Sequence, residues 1–225
     1  MTALAALRTQ NDLKQEPFDE SQFPIVEESS PRPLDAKEIA KRQLKAPRFR
    51  MAIPVSSNPN FKVAASIQHW PADFSAIPIS QSQTIIVGVI SDARAYVSED
   101  KRAVYSEFTI NTAKVIKDTC NLAEVNSTLT ATRYGGRVRF PDGSTQLVFR
   151  SGLGMPRVGR RYLLFLKQTD TDYDLLTGYE LRAGKVFPLD EGTPNFGRYH
   201  NIGEADFIKE VEQSIASFSN ATTNQ

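Results

Sequence analysis

One cysteine, two histidines and one tryptophan in 225 residues leave little for the commonest site chemistries. Cys120 alone makes neither an intramolecular disulfide nor a cysteine zinc cluster, which excludes the disulfide-stapled secreted scaffolds. A Ser-His-Asp or Cys-His arrangement would need His69 or His200 as its base. Neither lies near a nucleophile motif: the chain has no G-x-S-x-G, and Cys120 in "KDTCNLAE" has no nucleophile context. Each histidine adjoins an aromatic residue, Trp70 or Tyr199, and reads as a surface or packing residue. No apolar run approaches the roughly 18–20 residues that span a bilayer. The opening "MTALAALRTQNDLK" has no basic residue before its short apolar stretch and so lacks a signal-peptide layout. The expectation is a cytoplasmic chain as written, or an exported one if the true start lies upstream. Charge of one sign is missing too: 27 basic against 26 acidic residues name no partner by net charge.

Two further absences divide the chain. No glycine precedes Gly88, and only four of the 13 prolines follow residue 83. Residues 1–82 therefore read as a proline-rich, mostly extended arm, because proline fixes φ and lacks a ladder donor. One helix is expected there, over about 36–46 in "PLDAKEIAKRQLKAP". Asp35 and Glu38 form its capping box, Leu34 can staple onto Ile39, Lys41, Arg42 and Lys45 complement the dipole, and Pro47 stops it. Residues 1–30 are polar and proline-interrupted and are expected to be disordered. The apolar content of "FKVAASIQHWPADFSAIPI" predicts that the later part of the arm docks on the following domain.

From residue 83 to about 190 the pattern is β. Ile85, Val87, Val89, Ala93, Ala95 and Val97 share one parity. In the next strand Val104, Phe108 and Ile110 give way to Ala113 and Val115, a phase switch that predicts a β-bulge near Asn111 and Thr112. Strands follow at "STLTATRY", "GRVRF" and "TQLVFR", the last two joined through Pro141-Asp142-Gly143, then at "RYLLFLK", "YDLLTG" and "YELRAGKVFPL". Only half of "YLLFL" fits a barrel interior, so Leu163 and Phe165 need an external cover. The C-terminal segment of 191–225 supplies a helix with Phe207, Ile208, Val211, Ile215 and Phe218 on one face, and this helix, or the proline-rich arm, is expected to pack across Leu163 and Phe165.

The candidate functional feature is an arginine run. Arg133, Arg137, Arg139, Arg150, Arg157, Arg160 and Arg161 are accompanied by one acid, Asp142, with Tyr134, Phe140, Phe149 and Tyr162 interleaved. Arginines and aromatics sharing a face would suit single-stranded nucleic acid or another polyanion. Parity places Arg137 and Arg139 opposite Val138 and Phe140, which favours a solvated barrel face, neutralised by acids such as Glu27, Glu28, Glu210 or Glu212. Asp170, Asp172 and Asp174 alternate as at the start of a calcium loop, but Leu175 and Leu181 stand where that loop needs Gly and Glu, so a polar hairpin turn is expected. Gly152 and Gly154 precede Met155-Pro156 with no helix to present amides to phosphate, and read as a loop. No metal site and no cofactor is expected.

The span 83–189 resembles a group of uncharacterised bacterial proteins with an OB-fold-like, or netrin-like, β-barrel domain. The residues that carry the resemblance are Val87 to Val89, Tyr105 to Lys117, Pro156 to Leu166, and Gly178 to Phe187 with Val186 before the phenylalanine. It implies a mainly β fold: an OB-like closed or partly closed antiparallel barrel of five to seven strands, with the C-terminal amphipathic helix and the proline-rich arm outside it. It carries over no catalytic residue. Netrin-like inhibitors rely on disulfides that one cysteine cannot make, so protease inhibition is not implied. Members of the group usually look exported. The leading functional expectation is a non-enzymatic binding or accessory module with a protein partner. Nucleic-acid or polyanion binding through the arginine face comes second, and hydrolysis is a distant third.

Overall fold

The computed structural model describes residues 20–28, 35–57, 63–66, 74–191 and 195–223. In chain order the elements are β1 (Ile25–Glu27), α1 (Ala36–Lys45) running into a 3₁₀ turn (Ala46–Phe49), β2 (Val63–Ser66), β3 (Thr84–Val97), β4 (Val104–Asp118) and β5 (Thr128–Tyr134). They continue as β6 (Gly136–Arg139), β7 (Thr145–Arg150), β8 (Arg161–Gln168), β9 (Tyr173–Arg182), β10 (Lys185–Pro188), β11 (Ile202–Gly203) and α2 (Glu204–Thr223). The fold is mainly β. β3 pairs with β4 and β8, β4 with β5, and β8 with β9, all antiparallel, while β5 meets β9 through a short parallel contact. These five strands thus curl into a ring in the order β3-β4-β5-β9-β8. Its interior is filled by Ile86, Ile90, Phe108, Ile110, Leu129, Leu164 and Leu166, each burial worth about 1.5–3 kcal/mol.

The phase switch in β4 is a bulge, one residue beyond the expected place. Gly88 faces Thr112 and Val87 faces Lys114, so Ala113 is the extra residue; Ile116 is a second. The Ala113 bulge lets both Ile110 and Val115 pack on the ring interior. β3 carries its own extra residue, Ser91, between the pairs Ile90–Ile110 and Asp92–Thr109. That bulge breaks the expected single parity. Ile85 and Val87 face outward, whereas Ala93 packs on the interior cluster. The two segments "YDLLTG" and "YELRAG" are one continuous strand, β9, with Gly178 in its middle. A Cβ at Gly178 would stand 2.8 Å from Leu164 Cδ2, so glycine serves close strand approach here and not a turn.

A second sheet, ordered β1-β6-β7-β2, stands beside the ring. Its centre is the β6–β7 hairpin, turned at Pro141-Asp142-Gly143 as the sequence suggests, with Gly143 at φ 81°. The arm completes it: β1 lies parallel to β6 and β2 parallel to β7. Part of the expected N-terminal disorder is therefore corrected, because residues 20–28 are ordered. The free edge of β6 supplies their backbone partners, and Phe23 is buried edge-on to Phe149 at 6.2 Å. Residues 1–19 and 29–30, the Leu34 staple, and His69 with Trp70 lie outside the described residues.

On the outside of the ring, α2 lays Phe207 and Val211 onto Ile85, Val87, Leu163, Phe165 and Tyr179. This is the cover that the outer half of "YLLFL" requires. Residues of the arm extend it: Ala76, Ile77 and Ile79 join the same cluster, and the Tyr179 hydroxyl donates to Ala76 O at 2.6 Å. Phe218, on the same helix face, lies beyond the covered part of the sheet and is exposed beside the Lys117 ammonium. Among the described residues, no helix is long and apolar enough to cross a membrane.

Candidate interaction surface

The arginines of the 133–161 run are distributed over both sheets and the segment before β8, and none of them is free. Arg133 is buried, and its Nη2 donates to Asp190 Oδ1 at 2.5 Å. Arg137 donates from Nε to the Phe23 carbonyl at 2.9 Å, and Arg139 pairs with Glu27 at 2.9 Å. Arg150 lies over the Tyr134 ring, 4.9 Å from its centroid, and burial with a smaller push from Arg133 lowers its pKa. Arg160 faces Glu180 at 3.6 Å, and Arg161 pairs with Glu204. Arg157 is half-buried before β8, its backbone N–H donating to the Tyr162 hydroxyl. Of the acids expected to neutralise the run, Glu27 does so; Glu28 pairs with Lys101, Glu210 with Arg198 and Glu212 with Lys114.

The other sequence features have local roles. His200 sits edge-on to Phe187, 5.3 Å between centroids. Cys120 is half-buried in a turn held by Asp118, whose carboxylate accepts from the backbone N–H groups of Cys120, Leu122 and Ala123. The Gly152–Gly154 loop is fastened to the segment after β10: Gly154 N–H donates to Asp190 at 2.9 Å and Glu191 N–H to Gly152 O at 2.9 Å. Among the described residues, no group of three or more His, Cys, Asp or Glu is placed to hold a metal ion.

The unusual site lies in the arm. α1 begins at Asp35, whose side chain accepts from Glu38 N–H at 2.7 Å, the N-cap half of the expected capping box, while the Glu38 carboxylate accepts from Arg42 instead of reaching back; the helix meets β3, β4 and β5 through Arg42 and Lys45. Lys45, at 0% exposure, is its anchor: Nζ donates to Glu107 of β4, pairs with Asp172 of the β8–β9 turn, and lies 3.4 Å from the Thr132 hydroxyl of β5. Arg48 reaches Asp172 at 3.2 Å and Asp174 at 2.9 Å. Arg42 lies over the Tyr96 ring at 4.0 Å, and Phe49 stacks on Tyr105 at 5.2 Å. Burial opposes the Asp172 charge, but Lys45, Thr132 and Thr169 more than offset it and hold its carboxyl below the usual carboxylate range. Burial pushes Asp174 up, with Arg48 working against the shift.

The face of α1 turned to the ring is centred on buried Lys45 and flanked by half-buried Glu38 and Arg42 on one side and half-buried Lys41 on the other, four charged residues at helical spacing. The opposite face carries Ala36, Ile39, Ala40, Gln43 and Leu44. Ile39 is 39% and Leu44 63% exposed; Ile53, beyond the 3₁₀ turn, is 77% exposed. An apolar stripe ordinarily faces the core. α1 is reversed. A shallow polar cleft of about 340 Å³ runs alongside it, in which Glu38–Arg42, Asp92–Arg94 and Glu107–Lys45 are already paired.

Sequence reasoning located α1 but not the burial of Lys45 or the partnership with Asp172. The available signal was the clustering of charges at 38, 41, 42 and 45 on one side, which marks two unlike faces without saying which is inward. No protein-family model matches the chain, and no curated protein matches it.

Proposed function

We propose that the protein is a non-enzymatic protein-binding module, built on an OB-like barrel, whose docking surface is the outward face of α1. The order β3-β4-β5-β9-β8 with one parallel contact supports the OB-like reading, since that fold is a five-stranded Greek-key barrel. Fold alone does not name a function. The observation that carries the reading is the reversal of α1: an ordered helix fixed by buried ion pairs holds Ile39 and Leu44 in solvent. Exposed apolar side chains gathered on one element mark interaction sites.

The polyanion reading has less support, because Arg133, Arg139, Arg160 and Arg161 are matched to acids and Arg137 to a carbonyl. Single-stranded DNA at low salt is expected to show no anisotropy change at tens of micromolar protein. The binding test uses a photo-crosslinking residue at position 44 and, as control, at exposed Leu122, in the native host. Crosslinks to one protein from position 44 that are absent from position 122 and lost with Ile39→Glu are expected. Equal crosslinking from both positions would overturn the reading.

A further inference from the structure

We infer that the partner of α1 presents an apolar helix bordered on one side by carboxylates. The inference rests on the protein-binding reading and goes further, from surface to partner chemistry.

Ala36 and Ala40, one turn apart, form the low centre of the outward stripe, between the larger side chains of Ile39 and Leu44. A helix laid along such a stripe seats its own apolar row against it, in the helix-to-groove mode of recognition. At ten residues, α1 is about 15 Å long and presents about three turns.

The two long borders of the stripe differ in charge. On the Ile39 side, Glu38 and Arg42 neutralise each other at 3.0 Å, and Arg42 is committed to the Tyr96 ring. On the Leu44 side stand Lys37 and Lys41, one turn apart, and neither forms an ion pair among the described residues. Every other α1 cation is engaged, so the stripe has one neutral border and one border of positive charge. A partner with carboxylates spaced by four residues on the matching side meets both lysines at once, and one with lysines there meets repulsion.

The same asymmetry disfavours an antiparallel second copy of this chain as occupant. Two antiparallel helices related by a two-fold axis in their interface plane meet like edge to like edge, which sets Lys37 and Lys41 against their own counterparts. Rigidity supports a preformed site. The burial of Lys45 between Glu107 and Asp172 fixes the rotation of α1, so the stripe needs no rearrangement to be presented.

The test uses the full chain and two synthetic helical peptides that share one apolar stripe. One has glutamates four residues apart along one border; the other has lysines in their place. Binding is read by fluorescence anisotropy at low salt. The glutamate peptide should bind and the lysine peptide should not. Lys37→Glu with Lys41→Glu should weaken the glutamate peptide about tenfold, the sum of two lost exposed pairs and their replacement by repulsion. The same double variant should gain the lysine peptide. Leu44→Glu, tested for an unchanged melting temperature, should lose the glutamate peptide.

Equal binding of both peptides, or no response to the lysine reversals, would overturn the acidic partner while leaving a protein-docking stripe. Failure of both peptides would overturn it as well, and the crosslinking from position 44 then separates this failure from failure of the protein-binding reading. Binding of the unmodified chain to phosphatidylserine vesicles, lost with Leu44→Glu and without peptide binding, would replace it with a membrane surface. Reversible self-association in sedimentation, lost with Leu44→Glu, would replace it with a second copy.

Discussion

The ring has two helical covers that dock by opposite physics. α2 buries Phe207 and Val211 against the outer faces of β3, β8 and β9, and its acids Glu210 and Glu212 pair at the exposed side with Arg198 and Lys114. α1 buries Lys45 and turns Ile39 and Leu44 outward. Apolar burial is non-directional and tolerates small shifts, so α2 is held by area. Ion pairs out of water return their desolvation cost only in good geometry, so α1 is held by position. A helix's apolar stripe need not be the face that folds it. Where the stripe is left free, it is available for another use.

The largest effects are expected at the two anchors, Phe207 and Lys45. Phe207→Ala should cost about 3–5 kcal/mol and lower the melting temperature of the whole protein, because it empties the cluster around Tyr179. Lys45→Ala should cost about 3–5 kcal/mol as well, leaving Glu107 largely buried without its cation and Asp172 with Arg48 alone. The two differ in rescue. Replacing Lys45 by Met together with Glu107→Gln and Asp172→Asn removes the charges on both sides and should recover most of the loss, whereas no charge substitution should rescue Phe207→Ala. Chemical denaturation followed by tryptophan-independent far-ultraviolet circular dichroism reads all of them.

Next in size are the buried residues of the ring and of the first ordered segment. Leu164→Ala and Phe165→Ala, one inside the ring and one beneath α2, should each cost about 2–5 kcal/mol. Phe23→Ala should fall in the same range, about 3–5 kcal/mol, and a chain cut after residue 28 should be destabilised for the same reason. A cut that left the melting temperature unchanged would show that β1 is dispensable.

Acid sharpens the contrast between the helices. Asp172 has a folded pKa below its unfolded value of about 3.9, so the stability it contributes is present above that value and is lost as pH falls through the depressed one. Asp174, shifted upward by burial, works in the opposite direction and gains on protonation. Hydrogen exchange across 36–45 should therefore accelerate below about pH 4 relative to 204–215, where apolar burial does the holding. Equal loss of protection in both helices would contradict separate docking modes. The smallest effect is at the surface: Leu44→Ser should change stability by no more than about 0.5 kcal/mol.

Much of the scaffold was legible because its signals are local and periodic. The N-cap at Asp35, the hairpin at Pro141-Asp142-Gly143 and the bulge behind the Ile110 to Ala113 switch each follow from residues within a few positions of one another. The need of Leu163 and Phe165 for a cover was legible from strand alternation. Three features were not. β1 has no core of its own and exists because β6 offers an edge more than a hundred residues away. The Ser91 bulge leaves no mark in the parity of β3, since small and apolar residues flank it on both faces. The reversal of α1 depends on Glu107, Thr132 and Asp172, which three separate strands and turns bring together. The arginine run shows the converse: density in sequence became dispersal in space once β5, β6, β7 and β8 entered different sheets.

The orientation of α1 is the claim on which the functional reading depends, and solvent access to its methyl groups measures it in the unaltered protein. A soluble gadolinium chelate added to methyl-labelled protein should broaden the Ile39, Leu44 and Ile53 signals strongly. It should spare Ile86 and Leu164 inside the ring and Val211 beneath α2. Broadening of that pattern at Leu44 together with sharp Val211 signals is the predicted result. Leu44 and Ile39 methyls as protected as Val211 would show that α1 packs its apolar stripe inward, and the docking surface would be gone.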